Sequence, residues 1–516
     1  MKKILSLILA LAAVFSLAAC GPKGQLGGET SDVLKIDLLD AGYGTEFCYK
    51  LKEIFEEEHP GKTVEIKSSN TIQLSTENKI LSGPTRNDVD LFITSYSDWR
   101  TLVDKGEKAV EGYDVCIEDL TEIYNSRDEN GILIKDKLDE EYTAYVTNDA
   151  GQYYAIPWAS GPCGFMYNKT LFDYYGWEVP ETVSELESLC QQINRERASG
   201  LHGVYPIVYP GHSGSSYWSY VYNTWACQYE GLDNYKAFWQ GALLNPDGSY
   251  NYTDGYRVYR QEGRLESMKA LERILGNSDY IMPGSTTYDH TQAQSNMLMG
   301  KAAIVPSGDW IEREMSGTDF KCTGIPGEPE TEIGYLNTPL LDVVAGWKEY
   351  EGQTGVDPDT GLDKSVLYNR YLEAKTYAFS LGYQHLAIMT SYSNCRDLAI
   401  DFLKLLVSDR GCDIFLQYGG SPSPFKQHYT EEELSQFSLS EFQLNKVNFA
   451  ATAHYITKFE MSPIRYKAGL ANYNVNIPES VIPSGTSAQK IFDDEYNYAQ
   501  SMWNSLLISA GIVKIT

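Results

Sequence analysis

The side chains with the most chemical potential in this chain are aromatic. Trp158, Trp218 and Trp310 each fall in a predicted loop at the end of a strand, where site residues concentrate. Tyr is abundant, with 39 residues beside 9 Trp. Core packing uses part of this supply, and the rest fits a surface or cleft made for flat apolar contact with a polar tip. No enzyme constellation accompanies these rings. Gly211-His212-Ser213-Gly214-Ser215 approaches a nucleophile elbow, but its fifth position is Ser, so a polar loop is the better reading. The seven His are scattered, without His-Glu-x-x-His. Gly300-Lys301 lacks the upstream glycine of a phosphate loop. Asp357, Asp359, Gly361 and Asp363 outline a calcium loop. It lacks Gly at its sixth position and an acid at its twelfth, which favours a solvated acidic turn. With 70 acids, chance supplies carboxylate pairs, so counting leaves a glycosidase pair open.

The elements that must position these residues follow from periodicity. Val33–Leu39 reads as a strand, with Tyr43 in its exit loop. Phe47, Leu51, Ile54 and Phe55 mark one face of a helix, which His59-Pro60-Gly61 ends. Val64 and Ile66 begin a second strand with Asn70 after it; residues 72–81 read as a helix and Val89–Ile93 as a third strand. Alternating strands and helices predict a parallel sheet, whose ligands meet the strand C-termini. Tyr43, Asn70 and the Thr94-Ser95-Tyr96 turn then face one cleft. Gly151–Lys169 reads as strand, bend and strand, a crossover to a second lobe, with Pro157 ending the first ladder. Beyond it, Thr182 to Glu185 forms a capping-box start. Tyr217 to Trp225 is the densest aromatic run. Residues 230–285 read as an elaboration, Ala302–Val305 as a strand, and Ser307-Gly308-Asp309-Trp310 as its exit loop. The Gly-, Pro- and acid-rich stretch 323–365 reads as surface loop, and Leu398, Phe402, Leu405 and Leu406 as an amphipathic helix.

With 516 residues, 42% apolar and 22% charged, the chain is globular and needs more than one core. A formal charge of −28 argues against nucleic acid as a partner. Lys2 and Lys3, the apolar run Ile4–Phe15 and Leu17-Ala18-Ala19-Cys20 form a leader of the lipoprotein type, with Cys20 as the lipidated residue after removal of residues 1–19. Residues 20–31 read as a flexible tether. The other eight Cys include no Cys-x-x-Cys, and buried free thiols compete with disulfides as their state.

Together these residues resemble a family. Asn87-Asp88-Val89-Asp90-Leu91-Phe92 is similar to the first lobe of extracellular solute-binding proteins of carbohydrate ABC transporters. Gly151-Gln152-Tyr153-Tyr154-Ala155-Ile156-Pro157 matches that family's Gly-Lys-Tyr-Tyr-Gly-Ile-Pro segment, and Phe165-Met166-Tyr167-Asn168-Lys169 its Tyr-Tyr-Asn-Lys run. Met299-Gly300-Lys301-Ala302-Ala303-Ile304 through Gly308-Asp309-Trp310 resembles its Gly-Lys-Ala-Ala segment and following Gly-Trp. The helix Cys395–Val407 and Tyr418-Gly419-Gly420-Ser421-Pro422 resemble its late helix and Gly-x-x-Pro ending.

The resemblance implies an α/β, two-lobed periplasmic-binding-protein-like fold of type II, with the ligand cleft between lobes joined by hinge strands. Lobe 1 is expected from 32–157 plus about 375–420, and lobe 2 from 158–374 plus about 421–516. The implied function is capture of a sugar or oligosaccharide and delivery to permease subunits, without catalysis, cofactor or metal. A monomer on the outer face of the bacterial membrane is expected. Trp310 is expected to stack on a sugar ring; Tyr43, Asn70, Thr94, Ser95, Trp158, Tyr217, Trp218 and Asp309 complete the expected ligand site. An oligopeptide receptor and, less favoured, a surface glycoside hydrolase are the alternatives.

Overall fold

A computed structural model describes residues 31–514 apart from positions 96, 213–216, 427 and 470–477. The leader, Cys20 and the tether up to residue 30 lie outside the described residues, as do Tyr96 and Ser213 to Ser215 of the near-elbow. In chain order the strands are β1 (Val33–Leu39), β2 (Thr63–Ser69), β3 (Leu91–Ser95), β4 (Ile156–Pro157), β5 (Cys163–Asn168) and β6 (Tyr205–Ile207). A hairpin of β7 (Leu243–Leu244) and β8 (Tyr250–Asn251) follows. The remainder are β9 (Ala302–Gly308), β10 (Ile333–Leu336), β11 (Tyr377–Phe379), β12 (His385–Met389) and β13 (His454–Ile456).

The first lobe is built on a sheet of order β2-β1-β3-β12-β4. β1 runs parallel to β2 and β3, while β12 enters late and antiparallel, pairing Ala387 with Ile93 on one side and Ile156 on the other. Leu34, Ile36, Phe92 and Ile93 are buried because helices cover both faces. The helix Glu46–Glu58 turns Phe47, Leu51 and Phe55 inward. Pro157 lies on the edge strand, where a missing backbone donor costs no ladder bond.

The second lobe has a sheet of order β13-β11-β5-β9-β6, with β10 also on β5. β9 pairs antiparallel with β5 from Gly308 opposite Cys163 to Ile304 opposite Tyr167. The helix Val183–Ala198 starts at a complete capping box: Thr182 accepts from the Glu185 backbone, and the Glu185 carboxylate accepts in return from Thr182.

Several expectations change. Residues 72–81 form a short 3-10 turn, Ile72–Leu74, and then a helix, Thr76–Leu81, because the Thr76 hydroxyl bonds back to the Ile72 carbonyl. The third strand starts at Leu91, two residues later than expected; Asp90 before it still bonds Lys35 and Thr390 through its backbone, and its carboxylate accepts from the Lys35 amide and the Ser393 hydroxyl. Residues 323–365 are not simply surface loop. Ile333–Leu336 pairs with β5, and Leu336, Leu341, Val344 and Trp347 enter the second core. The acidic turn spends its carboxylates locally: Asp357 takes the Tyr350 and Thr360 hydroxyls, and Asp363 caps the helix Lys364–Ala374. Tyr377–Phe379 pairs within the second sheet, so the chain returns to the first lobe at Ser380–Gln384. Phe425 still packs on Tyr124 of the first lobe. All eight described Cys are buried free thiols.

Candidate functional site

The loops at the strand ends of both lobes meet at one seam. β1 ends at Leu39, and the following loop turns back through Gly42, in the left-handed region at φ 60°. A Cβ there would come within 3.3 Å of the Trp310 ring, so glycine both makes the turn and admits the indole. Tyr43 follows, and its hydroxyl donates to Asp309 Oδ1 at 2.8 Å. Asp309 and Trp310 come directly after β9, so this bond joins the two lobes. Asp309 is fully buried. Gly161, in the first crossing, lies so close to it that any Cβ would overlap the carboxylate.

Rings pack around this contact. Tyr43 sets its edge against Trp158 at 5.8 Å, Trp310 at 6.0 Å and His385 at 5.4 Å between centroids. Trp310 also meets Tyr217 at 6.4 Å and 89°. Tyr217 holds φ 60°, an uncommon value for a residue with a side chain, immediately before the helix Trp218–Glu230. At the outer edge Arg313 Nη2 meets Glu46 Oε2 at 2.6 Å, a second bridge between lobes.

The structure thus brings together Tyr43, Trp158, Tyr217, Asp309 and Trp310. Trp158 forms the floor: it stacks on Phe47 and donates from Nε1 to the Thr94 carbonyl at 3.0 Å. Thr94 and Ser95 are buried at the end of β3, facing Leu386 and His385 across the ladder. Asn70 stands apart, exposed after the edge strand β2. Trp218 stands apart too, packed against Phe165 and Tyr209 in the second lobe's core with no exposed surface.

Two seam residues escaped the reading of the sequence. His385 opens β12, its ring edge-on to Trp158 at 5.1 Å. Its Nδ1 lies 2.9 Å from the Leu381 carbonyl, which only accepts, so Nδ1 carries the proton and Nε2 is an acceptor. Burial drives its pKa down to about 4, against the opposing pull of that carbonyl and of Asp309. Lys446 comes from the helix Glu441–Ala450. Its ammonium donates to the Asp309 carbonyl at 3.0 Å and the Gly420 carbonyl at 2.5 Å, and lies 3.6 Å from Asp309 Oδ2. Burial pushes the Tyr43 phenol well above its ordinary value, and Asp309 adds to the shift, so the phenol remains a donor.

Two lobes, joined by a chain that passes between them more than once, thus meet at an aromatic seam around a buried carboxylate. Residues 41–411 match the bacterial extracellular solute-binding protein family, and the chain belongs to it. It is 25% identical over 379 residues to the diacetylchitobiose binding protein NgcE of Streptomyces coelicolor, covering 70% of this chain and 71% of that one. It is 24% identical over 378 residues to the multiple sugar-binding protein of Streptococcus mutans, covering 70% and 74%. A structure solved in work on xylan utilization by the thermophilic bacterium Caldanaerobius polysaccharolyticus superposes with a TM-score of 0.58 at 16% identity, over 92% of this chain and 99% of that one. The fold is therefore the two-lobed, periplasmic-binding-protein-like one.

Proposed function

We propose that this protein captures a sugar or oligosaccharide between its lobes and hands it, unchanged, to the permease of an ABC importer. It acts as a monomer, held on the outer face of the bacterial membrane by the lipid on Cys20. The observation that carries this reading is the Tyr43–Asp309–Trp310 contact across the seam. A pyranose offers a flat C–H face and a rim of hydroxyls. Rings such as Trp310, Tyr43 and Tyr217 fit the face, while Asp309, Ser95, Thr94, the Nε2 of His385 and, at the margin, Asn70 fit the rim. Trp158 supports Tyr43 from below, and Trp218 anchors the helix that follows Tyr217. The sugar-binding names of the relatives support the ligand class.

The ligand shifts an open–closed equilibrium to the extent that it prefers the closed form. A thermal-shift screen against mono- and oligosaccharides tests this. A ligand at about 100 times its Kd adds about 2.7 kcal/mol to stability. No shift with any saccharide, together with a shift on a peptide library, would replace the sugar with an oligopeptide. Release of reducing ends from a polysaccharide by the pure protein would replace binding with hydrolysis.

A further inference from the structure

We propose that a groove beside the seam holds the outer units of an oligosaccharide and so sets a preference for chain length; this rests on the sugar-binding reading above. The groove encloses about 680 Å³ between the first lobe and the hairpin β7–β8 with the segment Phe459–Tyr466. Sites that bury small ligands have volumes of about 300–1,000 Å³, so this space is large enough for a ligand in its own right.

Its position links it to the seam. A second cavity of about 340 Å³ shares Trp99, Arg100 and Tyr466 with the groove and extends to Ser97 and Gln384. Ser97 follows closely on Ser95 at the end of β3, and Gln384 immediately precedes His385. The second cavity therefore reaches residues next in sequence to His385 and close to Ser95, which places the groove beside the seam from which a longer ligand would extend.

Its lining suits a neutral polyhydroxylated chain. Tyr250 and Tyr252 present two phenol rings 6.3 Å apart from one short hairpin. Tyr250 is 36% exposed, so its face is available. Tyr252 is held in place through its carbonyl, which accepts from Trp503 Nε1 at 2.8 Å. The groove's lining also includes Arg100, whose guanidinium carbon lies 4.3 Å from the Trp99 ring centroid and whose Nη2 donates to the Tyr145 carbonyl, and the exposed Asp149. Both charge signs border the groove, so it does not select an ion of one sign. Aromatic faces with hydroxyl tips satisfy C–H faces and hydroxyls together. Lys236 of the second lobe meets Glu141 of the first at 3.0 Å along the same groove, so lobe closure also fixes its width.

The test uses the full mature protein, calorimetry, and chito- and xylo-oligosaccharides from disaccharide to hexasaccharide. In the wild type, affinity rises with length. Tyr250→Ala and, separately, Asp149→Ala lower hexasaccharide affinity, the former by about tenfold, and leave disaccharide affinity unchanged; both positions are exposed, and unchanged circular dichroism confirms the fold. Length-independent binding by the wild type, or hexasaccharide affinity unchanged in both variants, overturns the groove while sugar binding stands. Binding of neither series overturns it as well, and silence across the wider sugar panel overturns the reading beneath it.

Discussion

Replacing Lys446 with Met isolates the buried clamp at the seam. Lys446 is 2% exposed and spans elements of both lobes: Asp309 follows β9 of the second, and Gly420 ends a helix packed on the first lobe's Glu46–Glu58. The substitution keeps the length of the stem but removes two donations to carbonyls and the cation 3.6 Å from a fully buried carboxylate. Hydrogen bonds to charged groups contribute about 1.5–3 kcal/mol. Stranding one member of a buried ion pair costs about 3–5 kcal/mol. The expected loss is therefore about 3–5 kcal/mol for Lys446→Met. Adding Asp309→Asn removes the stranded charge, so the double variant recovers about 1–3 kcal/mol relative to additivity. Urea unfolding, followed by far-ultraviolet circular dichroism and Trp fluorescence on all four proteins, measures both quantities. Each transition is analysed separately because the lobes need not unfold together. A loss under about 0.5 kcal/mol for Lys446→Met, or strict additivity in the cycle, would refute the reasoning.

His385 predicts a pH dependence. Its folded pKa is depressed to about 4 from 6.5, so the unfolded chain binds the proton first as pH falls. The stability that goes with neutral His385 is complete above about pH 6.5 and is lost between there and about pH 4, a difference of about 3 kcal/mol. His385→Gln removes that slope, and an identical pH profile in the variant counts against it. Gly161→Ala places a methyl on the Asp309 carboxylate, which Tyr43 and Lys446 hold in place. A melting-point fall corresponding to about 1–3 kcal/mol is expected; a neutral substitution would mean that the close approach has slack.

The elements whose pattern is local were legible. β1, the helix after it and the Thr182 capping box were all readable from spacing, because one amphipathic face or one cap decides each. The Asp309-Trp310 turn was legible as a loop after an apolar strand. Long-range pairing hid the rest. His385 sits in an apolar run and becomes a seam residue only because β12 inserts beside β3, opposite Ser95. Lys446 left a faint trace: it shares a helical stripe with Phe442 and Ala450, both buried, and a lysine on such a stripe needs a partner. Ile333–Leu336 was obscured by the Gly, Pro and acidic residues around it. Tyr217 and Trp218 of the aromatic run were expected at the ligand, yet almost every side chain of the helix Trp218–Glu230 is covered, and Trp218 packs on Phe165 and Tyr209.

The late arrival of β12 has a consequence for biogenesis. The first sheet cannot close until His385–Met389 slots between β3 and β4, by which point the second-lobe strands β5, β6, β9, β10 and β11 have been synthesised. A nascent chain emerging from its N-terminus therefore carries a half-finished first domain, with the flanks of β3 and β4 unpaired, through most of translation. A chain that ends before that strand is expected to leave the first domain unable to complete its sheet, and a chaperone or translocon that delays collapse has a long interval in which to act.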